Sequence, residues 1–183
     1  MAKQLLPITI LTNKIFKSTR GRFLFLFGVI GVILIVVIAF SGPSQSPIPK
    51  SILSSVSFPV YYPDPGRIPA GYSLDSKHIE RINPGVVILF ISRGAEAQYV
   101  VISEEANPGS PVINHFLADN IPLHSNLSTP LGTAAIGAYN DGREERTVIS
   151  LPVINGGPWI IATAPGNANL AQFSKIVEVL IKS

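Results

Sequence analysis

AAIGAYNDGREERTVISL, residues 134–151, decides the reading of the fold. Ala134 to Tyr139 and Arg146 to Leu151 are short runs suited to strands. Between them, Asn140-Asp141-Gly142 supplies residues that tolerate the positive φ angles of a tight hairpin. The same grammar extends in both directions. Asn155-Gly156-Gly157 is a second turn, leading into Trp159 to Thr163. Upstream, Val86 to Ile91 is a continuous apolar run, as a strand covered on both faces would be, and Arg93-Gly94 turns it into Gln98 to Ser103. His78 to Ile82 alternates before Asn83-Pro84-Gly85, and Phe58 to Tyr62 precedes the turn sequence PDPG. These connections are too short for crossover helices, so the sequence predicts six or seven strands in a mostly antiparallel meander.

Two helices accompany them. Ser110-Pro111 offers a cap and a first-turn proline for a short helix through Ala118. At the C-terminus, Asn169 can cap, and Leu170, Phe173, Ile176, Val177 and Leu180 form one apolar stripe. The expected class is therefore α+β: a curved sheet packed on a C-terminal helix, over residues 52–183.

The N-terminal part reads differently. Residues 23–40 (FLFLFGVIGVILIVVIAF) are an uninterrupted apolar run of about 18 residues, which as a helix spans roughly 27 Å, close to a bilayer core. Five cations and no acid precede Phe23, whereas residues 41–183 carry 9 bases and 11 acids, a net −2. The loop-charge rule then keeps the N-terminus in the cytoplasm. The expected organisation is a cytoplasmic basic tail (1–22), a transmembrane helix (23–40), a Pro/Ser-rich linker (41–51) and an extracytoplasmic domain (52–183). Ala39 and Ser41 leave a cleaved signal peptide as the competing account. The basic pI of about 9.3 belongs to the tail. The domain has no basic face of the kind nucleic acid requires.

The chemistry-bearing residues do not assemble into a known motif. With no cysteine, disulfides and thiolate metal sites are excluded. None of His78, His115 and His124 belongs to an HExxH, and no GxSxG or SxxK occurs. His115 and Asp119 share helical i,i+4 spacing, and Ser110 can be paired with His115 or His124, but neither spacing is specific. GTAAIG (residues 132–137) lacks the lysine and helix start of a phosphate loop, and its small residues suit close approach of another element. Glu104-Glu105 and Glu144-Glu145 should point to opposite faces of their strands and be solvated. Phe58, Tyr61, Tyr62 and Tyr72, set among prolines, either line an apolar groove or pin an edge segment to the core. No catalytic, cofactor-binding or metal-binding residue is assigned.

FPVYYPDPGRIPAGYSLD, residues 58–75, resembles the opening of a domain of unknown function carried outside the membrane by bacterial anti-sigma-factor-like proteins. The later order is similar: a hairpin, a glycine-containing strand (residues 132–139), a tryptophan strand at Trp159 and a terminal helix. The resemblance implies a fold like lipoprotein carriers and envelope-stress sensors, in which a curved sheet wraps a helix. The cytoplasmic part here is too short for the sigma-binding domain of that family. Together these readings lead to the expectation of a non-enzymatic binding or sensing domain of the cell envelope, with an envelope protein or an apolar ligand as partner. The alternatives are a small enzyme assembled from His115, Asp119 and His124, and a structural envelope component.

Overall fold

Short strand-forming runs separated by turn residues build most of the observed architecture. The computed structural model describes residues 46–82, 85–140, 142 and 144–183. In chain order the elements are α1 (Lys50–Leu53), β1 (Tyr61–Pro63), β2 (Tyr72–Leu74), β3 (Glu80–Ile82), β4 (Val86–Arg93), β5 (Glu96–Glu105), α2 (Ser110–Asn120), β6 (His124–Thr129), β7 (Gly132–Asn140), β8 (Glu145–Pro152), β9 (Trp159–Pro165), α3 (Leu170–Glu178) and β10 (Leu180–Lys182). An eight-stranded antiparallel sheet runs β2-β4-β5-β9-β8-β7-β6, with β3 sharing the β4 edge with β2. β1 and β10 form a separate two-stranded ribbon.

Two expectations are corrected. The domain is mostly β rather than α+β: strand makes up 44% of it and helix 18%. The six or seven strands become ten because β2 and β10 are only three residues long and β6 is mostly polar, and each is held in place by its partner. The single-pass membrane anchoring with an extracytoplasmic domain is also not supported. Among the described residues no helix is long and apolar enough to cross a membrane. The longest, α2, has 11 residues, about 16 Å against the roughly 30 Å of a hydrocarbon core. The basic tail, the 23–40 run and the first part of the linker lie outside the described residues.

The sheet has two unlike faces. Across the register Leu89↔Ile102↔Ala162↔Ile149↔Ile136, the side chains enter one large core, and each of them is buried. Helix α3 closes that face with Phe173, Ile176 and Val177. Its cap is the Asn169 side chain, which accepts the Gln172 N–H at 3.1 Å. The chain entering the domain closes it further: Ile48 and Ile52 are buried in the same core, and the Ser46 and Ser183 hydroxyls meet at 2.8 Å. The opposite face holds a smaller cluster of Ile121, Ala135 and Val148 beneath α2. That helix starts at its expected cap, one residue early: Gly109, at φ 91°, is the N-cap, and Ser110 is already helical.

Candidate functional site

Helix α2 is seated on its face of the sheet through Ile113 and, more extensively, through its second half. The ring of Phe116 meets Trp159 edge-on at 5.1 Å, and the Trp159 Nε1–H donates to the Ser150 hydroxyl at 2.9 Å. Just past the helix, Ile121 is fully buried, and the chain comes so close to β7 that a Cβ on Gly137 would stand 2.9 Å from the Leu123 carbonyl oxygen. No other residue type fits there without movement of backbone, which is why a glycine interrupts the strand. The first half of α2 buries Ile113 but has no aromatic contact or close backbone approach of this kind. Between it and strands β6 to β8 lies a cleft of about 330 Å³.

The floor of this cleft is apolar, with Ile113, Leu117, Ala135 and Pro152. Its walls carry Asn107, Ser110, Asn114, His124, Asn126, Thr133 and Ser150, and no Asp, Glu, Lys or Arg lines it. Asn107 and Ser150 are engaged, by the Gly109 N–H and by Trp159. The His124 Nδ1–H donates to the Ile121 carbonyl at 2.9 Å, because a carbonyl can only accept; this leaves Nε2 as an acceptor. The side chains of Ser110, Asn114, Asn126 and Thr133 make no hydrogen bond to any described residue. The cleft thus presents uncharged donors and acceptors above an apolar floor.

The sequence candidates are dispersed. His115 and Asp119 pair at 3.2 Å, but their side chains are 80% and 58% exposed, and neither lines the cleft that His124 enters. Ser110 and His124 do share the cleft, yet no hydrogen bond joins them. Among the described residues no group of three or more His, Cys, Asp or Glu is placed to hold a metal ion. His78 bonds the Asp75 carboxylate at 2.6 Å, which holds that exposed carboxyl below its usual range. Phe58, Tyr61, Tyr62 and Tyr72 are buried and pinned to the main core. Of these, Tyr72 borders a cavity of about 230 Å³ with Pro47, Pro63 and Pro65, and Tyr61 borders another, of about 430 Å³, with Pro59, Leu131 and Lys182. GTAAIG is the start of β7, a strand.

One functional-type residue escaped the sequence reading. Glu104 points into the large core, fully buried, with Val87 and Ile160 as its register partners on either side. Both of its oxygens accept the backbone N–H of Tyr61, at 3.1 and 3.0 Å. Burial pushes its pKa well above the ordinary 4.5, and the Tyr61 N–H opposes that only in part. The expected solvation of the Glu104-Glu105 pair fails for Glu104. The strand phase had the information: Val100, Ile102 and Glu104 follow one another on one face. Glu144, by contrast, pairs with Arg146 at the exposed end of β8.

No protein-family model, no curated protein and no solved structure matches this chain.

Proposed function

We propose that the domain is a non-catalytic binding module and that the α2 cleft is its ligand site, taking an uncharged, hydrogen-bonding ligand of the size of a short peptide or a di- or trisaccharide. The observation that carries this is the set of four side chains, Ser110, Asn114, Asn126 and Thr133, that face one concavity with no partner among the described residues. A cleft of this volume is in the range of small-ligand sites, and its polar groups set orientation over the apolar floor. A charged ligand has no counter-ion here. Hydrolysis assembled from Ser110 and His124 lacks the nucleophile–base hydrogen bond that such chemistry starts from.

The test is a thermal-shift and NMR screen of neutral oligosaccharides and neutral tri- to pentapeptides, each set beside charged counterparts. Neutral ligands should raise the melting temperature of the wild type, and the Asn114→Ala/Asn126→Ala double variant should abolish that rise. Binding that survives the double variant, or that is confined to charged ligands, removes the cleft from consideration.

A further inference from the structure

The large sheet ends in two edges, and they are built differently. At one end β4 is flanked by β2 and β3, two separate strands of three residues each. β3 carries Glu80 and Arg81 and is exposed throughout, while the Ser73 hydroxyl of β2 is tied to that of Ser92 at 2.8 Å. Short, interrupted and charged strands are how proteins prevent an edge from pairing with another chain. The other end is β6. It has six residues, His124-Ser125-Asn126-Leu127-Ser128-Thr129, with no charged residue and no proline, and its register with β7 is unbroken from His124↔Gly137 to Thr129↔Gly132. Among the described residues only β7 pairs with it, so alternate N–H and C=O groups along its outer side face solvent.

The surroundings of this edge are apolar where solvent would favour polarity. Leu123, the residue before β6, is 89% exposed, and Leu170 of α3, which borders the same small cavity as Ser125 of β6, is 54% exposed. Among the described residues these are two of the five large exposed hydrophobic side chains, and they stand beside the β6 edge.

We infer that β6 pairs with β6 of a second copy of this chain, antiparallel about a two-fold axis, to give one continuous sheet across the dimer. A two-fold axis perpendicular to the sheet must pass where a residue opposes its own copy, and the middle of the strand puts it at Asn126 or Leu127. Leu123 of one copy then lies beside residues 129–131 of the other, and its exposed side chain is covered. β6 carries no Asp, Glu, Lys or Arg, so two copies of it meet without like-charge repulsion. Self-pairing needs only an unblocked backbone, matching length and apolar flanks, and all three are present. The inference is independent of the cleft.

Because the chain has no cysteine, single introduced cysteines report position without interference. In the purified full-length chain, Ser125→Cys, Asn126→Cys and Ser128→Cys should each cross-link to their own copy with a short bismaleimide, while Ser73→Cys at the opposite edge should not. Sedimentation should show a concentration-dependent dimer. The variant Ser125→Lys/Ser128→Lys, both exposed positions outside the cleft, places like charges across the paired strands and should weaken the dimer by about tenfold or more without changing the circular dichroism spectrum. A monomer throughout the accessible concentration range overturns the inference. So does a dimer that cross-links at Ser73→Cys but not along β6, or one that the double lysine variant leaves intact.

Discussion

Replacing Glu104 by glutamine should change how stability depends on pH, with a sign that the structure fixes. In the folded domain the carboxyl is walled by Val87 and Ile160 and meets one backbone N–H, so its pKa is raised well above 4.5; in the unfolded chain it titrates normally. A raised folded pKa means the native state holds a proton that the unfolded state has released. Glu104 therefore supports folding fully below about pH 4.5, and that support is lost as pH rises toward the folded value. In this window the linkage slope is about −1.4 kcal/mol per pH unit. A glutamine side chain cannot ionise, and the variant's curve should lack that slope. The substitution adds a buried amide with a donor to satisfy, a pH-independent offset of about 1–3 kcal/mol, so the slope and not the absolute stability is diagnostic. Urea denaturation of wild type and Glu104→Gln at half-unit steps from pH 4.5 to 8 measures it. The two curves should converge or cross as pH rises. Parallel curves would show that the carboxyl is solvated or is ionised in the folded state, and the account of its burial would be wrong.

Other substitutions probe the frame of the site. Gly137→Ala should cost about 1–3 kcal/mol in urea denaturation and shift the His124 NMR signals, since the new methyl meets the Leu123 carbonyl at 2.9 Å. Phe173→Ala, at a side chain 1% exposed, should cost about 3–5 kcal/mol, whereas Leu170→Ala on the same helix, 54% exposed, should stay within about 0.5 kcal/mol of wild type at monomer concentrations. Asn169→Ala removes the acceptor for the Gln172 N–H and should lower stability by about 1 kcal/mol, seen as earlier fraying of α3 in hydrogen exchange.

What the sequence revealed follows the physics of each element. β4, β5, β7, β8 and β9 were legible because each buries side chains and so carries apolar residues in phase. β6 was not, because HSNLST buries little and is a strand only through its pairing with β7. Leu180 fitted the stripe of the C-terminal helix, yet α3 ends at Glu178 and Leu180 reaches the core from β10. Burial was right there while backbone geometry was not, since a stripe reports the face and not the element. Ser110 and His124 were visible as residue types, but their shared cleft depends on how Phe116 and Ile121 set the tilt of α2, which no local pattern encodes. The apolar run at 23–40 was the loudest feature of the sequence, and it says nothing about the chemistry of residues 46–183.

The two faces of the sheet differ in what they can still do. On the α3 face, helix, ribbon and entering chain cover the large core, and among the described residues every buried side-chain polar atom has a partner. Glu104 shows how complete that closure is: a carboxyl sits there with only the Tyr61 N–H for company, and such a group persists only where the surrounding packing outweighs its desolvation. The Tyr61 segment is in turn held by β10, through Tyr61↔Lys182. That face therefore carries the domain's stability. The other face is covered by a single 11-residue helix, held by Ile113 and by the Phe116–Trp159 contact. It keeps a polar-walled cleft and runs out to an edge strand without charge or proline. His124 and Asn126 belong to both features, because successive residues of β6 alternate between cleft and opposite face while its backbone faces outward. A ligand in the cleft would hold two of the six residues that a second copy must pair with. Occupancy of one should therefore strengthen the other, and ligand titrations should show a dimer constant that tightens with saturation.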